Sequence, residues 1–184
     1  MNTTKTFSIV SLILGIISFI SATVLTIEKL AVLKDPSHVL SCNLSPFVSC
    51  GPVMNSAQAA AFGIPNSIVG MVGFGLVILI SFTSLFVKFP LWYWVAYAIG
   101  VTLAFGFIIW LMTQALVVIS ALCIYCLVVW ICIIPLFWFA VANLLQRTRF
   151  RFIQEYKFLI IGVTYIILAL CIFFAFKDYW LSLL

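Results

Sequence analysis

The chain has 184 residues, of which 66% are hydrophobic and only 7% are charged. This composition indicates an integral membrane protein and leaves no room for a soluble domain. The net charge of +5 does not point to nucleic acid, because the basic residues flank apolar runs, as in proteins anchored in a bilayer.

Uncharged runs predict five transmembrane helices, since one span needs about 20 apolar residues. The predicted spans are residues 6–28, 67–87, 91–112, 122–145 and 157–177. We expect an all-α membrane protein forming a single domain over residues 1–184. The first run is too long for a usual signal peptide, so we expect it to stay as an uncleaved span.

The basic residues predict the orientation of these spans. One side of the membrane holds six of them: Lys5, Lys88, Arg147, Arg149, Arg151 and Lys157. The other side holds three: Lys29, Lys34 and Lys177. The positive-inside rule therefore predicts a cytoplasmic N-terminus, with the arginine cluster anchored at lipid headgroups.

The only long polar connection, residues 29–65, follows the first span and carries the sole histidine, His38. Within it, Gly51-Pro52 begins a segment with helical preferences, which Gly63 and Pro65 end. At about ten residues this helix is too short to span, and we expect it to lie along the membrane interface as a lid. Asn66 is expected to cap the second span.

Two pairs of cysteines are the chemical signal of the chain. Cys42 and Cys50 lie in the polar loop, and Cys123-Ile-Tyr-Cys126 opens the fourth span. The loop follows one crossing and the second pair follows three, so both pairs should lie at the same, extracytoplasmic face. The C-x-x-C spacing is typical of thiol oxidoreductases.

Other readings of the cysteines stay open at this point. A bond between Cys42 and Cys50 could be a static staple of the loop. Four cysteines could instead hold zinc in a non-catalytic membrane protein, although the spacing of the first pair fits zinc poorly. A structural subunit would carry unreactive thiols. Cys132 and Cys171 lie in mid-span and are expected to be small apolar fillers.

The order of motifs resembles the vitamin K epoxide reductase (VKOR) family over about residues 7–145. These motifs are Cys42-x7-Cys50, Ser56, Pro65-Asn66-Ser67-Ile-Val-Gly70 and Cys123-x-x-Cys126. DsbB-like proteins, the other quinone-linked disulfide family, carry the two pairs in the opposite order.

The resemblance implies a four-helix bundle around a quinone, with the loop as its cap and a fifth helix outside. It also implies a relay in which Cys42 exchanges with a thiol partner and bonds to Cys50. Cys50 then links transiently to Cys123, and Cys126 faces the quinone. Because exchange needs thiolate attack, Cys42 should be reachable from water. By similarity, Ser56 lies near the quinone.

By similarity as well, the amide of Asn66 hydrogen-bonds a quinone carbonyl. Trp130 stands where animal relatives have a tyrosine, and we place it at the quinone too, although its different geometry argues against epoxide chemistry. Many bacterial relatives continue into a fused thioredoxin-like domain. Because this chain ends at Leu184, we expect a separate DsbA-like thioredoxin-fold partner.

We therefore expect a plasma-membrane thiol:quinone oxidoreductase that supports disulfide formation, with menaquinone or ubiquinone as its cofactor and no metal. The main alternative is an enzyme whose role is to reduce vitamin K quinone or its epoxide. An endoplasmic-reticulum membrane, with the same chemistry facing the lumen, stays open.

Overall fold

Six α-helices make up most of the part of the chain that the computed structural model describes, which is residues 3–35, 37–43, 48–145 and 152–177. They are α1 (Thr3–Lys34), α2 (Cys50–Asn55), α3 (Asn66–Thr83), α4 (Leu91–Thr113), α5 (Ile124–Leu145) and α6 (Phe152–Ala175). A 3-10 helix, Ala57–Ala60, follows α2, and a π-helical segment, Gln114–Ile119, prolongs α4. The predicted arginine cluster at Arg147, Arg149 and Arg151 lies outside the described residues.

Five of the described helices are long and apolar enough to cross a membrane: α1, α3, α4 with its π-helical extension, α5 and α6. The prediction of an all-α, multi-pass membrane protein is confirmed. The end of the bundle where Cys42, Cys50, Cys123 and Cys126 lie is called here the cysteine end.

The helix bounds differ from the prediction at several ends. Helix α1 continues to Lys34, beyond the predicted end at residue 28, because residues 29–34 are mostly good helix formers. It stops just before Asp35-Pro36, since the residue before a proline is disfavoured in a helix. Helix α3 ends at Thr83 instead of residue 87 and is followed by a hydrogen-bonded turn.

The interfacial helix predicted after Gly51 is shorter than expected. Helix α2 ends at Asn55, and Ser56 then adopts an extended conformation (φ −71°, ψ 152°) before the 3-10 helix begins. The Ser56 hydroxyl donates a hydrogen bond to the carbonyl of Val53 at 2.8 Å. Such a local bond competes with the helical pattern, which explains a break that residue preferences alone do not predict.

Helix α5 occupies the centre of the bundle. It packs against α1, α4 and α6, while α3 packs along α1. At the end opposite the cysteines, Phe7 meets Trp94 and Tyr97 edge-to-face, with ring centroids 5.6 and 5.9 Å apart. Helices α3 and α4 are consecutive in sequence but make few contacts with each other. The bundle is therefore closely packed where α3 meets α1, whereas α3 and α4 are separated by a gap.

The close approach of α1 to α3 depends on Gly15. A Cβ atom at this position would lie 3.1 Å from Val77 Cγ1 and 3.2 Å from Ile78 Cγ1, which is closer than ordinary contact. Gly162 on α6 offers the contrast, because a Cβ there would meet no atom within 4 Å.

We predict that Gly15→Leu lowers the free energy of unfolding by about 1–3 kcal/mol, the usual range for overpacking a core. Gly162→Leu is the matched control, because both substitutions gain the same helix preference. Unfolding by SDS in mixed micelles, followed by circular dichroism, measures the difference. Equal stability of the two variants would contradict this account of the α1–α3 contact.

Candidate active site

Three of the four predicted redox sulfurs form a line at the cysteine end. Cys42 and Cys50 are joined by a disulfide bond. The Cys50 sulfur lies 3.1 Å from the sulfur of Cys123, which is a free thiol. Two stretches 73 residues apart are thus brought within the reach of thiol–disulfide exchange.

Backbone pairing holds this contact in place. Val48 and Leu122 form an isolated parallel β-bridge, and the amide of Ser49 donates to the carbonyl of Leu122 at 2.9 Å. Each partner of the bridge lies just before one of the facing cysteines: Cys50 begins α2 and Cys123 precedes α5. The π-helical segment and the left-handed Ser120 (φ 55°) return the chain to this position.

The surroundings of Cys123 favour its thiolate. A hydrogen bond from the Cys126 thiol is the largest effect and lowers the pKa of Cys123, and backbone amides of Cys126 and Tyr125 add to it. Burial acts in the opposite direction but does not outweigh these bonds. A lower pKa increases the fraction of Cys123 that is thiolate, which is the reactive form.

The expectation that water reaches Cys42 is wrong for this state of the protein. Cys42 is 1% exposed, and Cys50 and Cys123 are 0% and 1% exposed. The three sulfurs share an apolar cluster with Leu40 and Met54, which cover them. The prediction failed because a polar loop suggested exposure, whereas Leu40 and Met54 pack against the disulfide. Exchange with a partner therefore requires this cover to open.

The fourth sulfur faces a cavity of about 660 Å³ that runs through the bundle. Cys126 lines it, as do the three residues that the resemblance placed at a quinone: Ser56, Asn66 and Trp130. Residues of α1, α3, α4 and α5 form the walls, and none of the described residues of α6 takes part. The two cysteines of the C-x-x-C motif thus have different neighbours, because Cys123 contacts the loop disulfide and Cys126 lines the cavity.

The sequence predicted Asn66 as the N-cap of α3, and this prediction is wrong. Pro65 occupies that position. The Asn66 side chain instead links α3 to the segment made of α2 and the 3-10 helix, which is called here the lid. Its Nδ2 donates to the carbonyl of Gln58 at 2.7 Å, and its Oδ1 accepts from the amide of Ala61 at 3.1 Å. These bonds fix the amide plane and use only one of its two N–H groups.

Ser56 and Trp130 lie on different sides of the cavity. Ser56 marks the break in the lid, with its hydroxyl turned to its own backbone at Val53. Trp130 is buried on α5, in a cluster that also includes residues of α4 and α6. Both residues line the cavity, and their places and roles at a quinone stay predictions.

Two polar residues of the site, Lys29 and Tyr125, were not predicted from the sequence. Lys29 lines the cavity and donates from Nζ to the carbonyl of Met54 (2.8 Å) and to Asn55 Oδ1 (3.2 Å). Tyr125, between the two C-x-x-C cysteines, also lines the cavity. Its hydroxyl lies 3.2 Å from that of Ser41. A position inside the C-x-x-C motif was the one available signal for Tyr125.

The two remaining cysteines lie apart from this line of sulfurs. Cys132 is buried within α5, and Cys171 is exposed on the outside of α6, and both are free thiols. Among the described residues, no three His, Cys, Asp or Glu side chains are grouped as a metal site.

One comparison with known proteins gives a match. The family model described as the vitamin K epoxide reductase family matches residues 9–141, well over half of the chain. A search of curated proteins returned no match.

The sulfur geometry predicts which cysteines can bond. We expect the double variant Cys42→Ala/Cys126→Ala to form a Cys50–Cys123 disulfide under mild oxidation, because these sulfurs already lie 3.1 Å apart. The control Cys42→Ala/Cys123→Ala retains Cys50 and Cys126 and should stay reduced, since Cys126 faces the cavity. Alkylation followed by peptide mass mapping without reductant measures both. A link of equal yield in the control would contradict the assigned geometry.

Proposed function

The chain belongs to the vitamin K epoxide reductase family, and we propose that it is a membrane thiol:quinone oxidoreductase. Membership of the family implies a quinone-linked redox enzyme. The observation that carries the proposal is the path of sulfurs: a loop disulfide in contact with Cys123, whose neighbour Cys126 lines a deep apolar cavity.

The cavity suits a quinone. Its volume of about 660 Å³ lies within the usual range for small-molecule sites, and most of its lining is apolar. The lining also includes polar side chains, among them Ser56, Asn66 and Gln114. A quinone needs hydrogen-bond donors for its carbonyl oxygens and apolar walls for its ring. The unused N–H of Asn66 can donate to a carbonyl there.

The gap between α3 and α4 offers a route by which a quinone can enter the cavity from the lipid. The cavity extends from the lid to Trp92, at the start of α4, which is at the opposite end of the bundle. Trp92 and Leu76 line it and are also exposed on the outside. Because α3 and α4 make few contacts, an isoprenoid tail can lie between them while the ring reaches Cys126.

The relay follows from the order of the sulfurs. A bound quinone would supply the two-electron acceptor. A partner thiolate attacks Cys42, and Cys50 leaves as a thiolate. The second thiol of the partner then attacks its own sulfur in the mixed disulfide, which releases Cys42 and leaves the partner oxidised. When the C-x-x-C pair is oxidised, Cys50 attacks Cys123 and Cys126 leaves as a thiolate. Cys42 then attacks Cys50, which releases Cys123 and restores the loop disulfide. The sulfurs observed here correspond to the next state, with the loop pair oxidised and Cys123 and Cys126 reduced.

We further propose that the cysteine end faces the extracytoplasmic side of the plasma membrane, with the N-terminus in the cytoplasm. The charge bias of the sequence supports this orientation. The partner is then a DsbA-like thioredoxin-fold protein that passes disulfides to exported proteins. The burial of Cys42 favours selectivity, because a partner that displaces the cover by docking reacts with Cys42 faster than a small thiol that must wait for the cover to open.

The assay that tests the proposal uses purified protein in lipid nanodiscs, dithiothreitol as the thiol donor and a short-chain quinone. We predict quinone reduction that is lost in Cys126→Ala. We also predict that Gly100→Leu weakens quinone binding about tenfold or more. Gly100 lines the cavity, and a Cβ there meets no atom within 4 Å, so the added side chain can occupy the space of the quinone without a clash in the protein.

Gly106→Leu is the control, since Gly106 also lies on α4 with no atom within 4 Å of a Cβ but does not line the cavity. Binding can be followed by tryptophan fluorescence quenching. Equal quinone affinity of the two leucine variants would place the quinone elsewhere, and full activity of Cys126→Ala would contradict the relay.

A further inference from the structure

A chain of four hydrogen-bonded side chains crosses the cysteine end. His38 Nε2 lies 3.1 Å from Glu28 Oε2, and the Ser41 hydroxyl donates to Glu28 Oε1 at 2.5 Å. The same Ser41 oxygen lies 3.2 Å from the hydroxyl of Tyr125. Residues from α1, the loop and the start of α5 are thereby joined into one path.

The two ends of this path meet different surroundings. The His38 side chain is 39% exposed to solvent and Ser41 is exposed as well, whereas the side chain of Glu28 is 12% exposed. Tyr125 lies between Cys123 and Cys126, and it lines the cavity. Every group in the path can accept and release a proton, so the path connects bulk water with the proposed quinone site.

Proton balance at that site requires such a connection. This step rests on the proposed function. Reduction of a quinone to a hydroquinone takes two electrons and two protons, and formation of the Cys123–Cys126 disulfide supplies the electrons. The thiol of Cys126 supplies one proton. If Cys123 reacts as a thiolate, as its surroundings favour, the second proton must come from elsewhere.

We propose that the Tyr125 hydroxyl donates this second proton to a quinone oxygen and is reprotonated from water through Ser41, Glu28 and His38. The S–H bond of Cys126 breaks and the S–S bond forms as the proton moves. With Glu28 ionised, Ser41 donates towards the carboxylate, as observed. Once His38 has protonated Glu28, the carboxyl donates to Ser41, and the hydroxyls can turn to deliver a proton inward.

Lys29 is a charged side chain that also lines the cavity. Its Nζ donates to the carbonyl of Met54 and to Asn55 Oδ1, so its hydrogen bonds hold the lid. The path could also act only by anchoring Ser41 beside Cys42, and such a positioning role would change the reactivity of the loop disulfide.

The test compares Tyr125→Phe, Glu28→Gln and their double variant in nanodiscs with dithiothreitol and a short-chain quinone. We expect quinone reduction to fall about 100-fold in Tyr125→Phe, the lower range for loss of a general acid, with a larger solvent isotope effect in D₂O. Glu28→Gln should fall in the same direction. The double variant should be no slower than Tyr125→Phe, because both changes interrupt one path. Tyr156→Phe, the same change on α6, is the control.

A second readout uses the quinone-free protein, in which the reaction of the Cys42–Cys50 disulfide with dithiothreitol is followed by alkylation. This rate should match the wild type in every variant. A rate that falls together with quinone reduction would show positioning and overturn the proton path, as would wild-type quinone reduction in Tyr125→Phe. If the wild-type protein reduces no quinone, or Cys126→Ala reduces it equally well, the proposed function itself fails.

Discussion

The contact between the sulfurs of Cys50 and Cys123, at 3.1 Å, is the feature on which the rest of the site depends. Exchange between a disulfide and a thiol requires the attacking sulfur to approach the bond directly. The helices α2 and α5 do not by themselves bring these two cysteines together. The β-bridge between Val48 and Leu122 sets their separation, so a single backbone pairing joins the loop to the helical bundle.

Around this contact, the protein shields the loop disulfide from water on one side and the cavity on the other. Leu40 and Met54 cover the sulfurs on the loop side, and the lid held by Lys29 and Asn66 closes the cavity above Cys126. This cover slows the reaction of thiols that cannot displace it. The lid also keeps bulk water from the quinone site. Protons must then reach that site through side chains, which is the role proposed for the hydrogen-bonded path that ends at Tyr125.

Much of the architecture could be predicted from the sequence, because long uncharged runs have few ways to fold in a bilayer. The parity of membrane crossings alone is enough to place both cysteine pairs at one end of the bundle. The break at Ser56 could not be predicted, since it depends on a local hydrogen bond. The extension of α1 to Lys34 was predictable in principle, because good helix formers continue up to Asp35-Pro36. The burial of Cys42 depends on tertiary packing. The link from Tyr125 to Ser41 joins side chains 84 residues apart, beyond the reach of any local pattern.

The order in which disulfides appear tests the central claim most directly. The fully reduced protein, mixed with one equivalent of quinone and quenched by alkylation at successive times, reports that order by mass mapping. The account predicts that the Cys123–Cys126 bond appears first and that the Cys42–Cys50 bond replaces it. Appearance of the Cys42–Cys50 bond first, without a preceding Cys123–Cys126 bond, would contradict it.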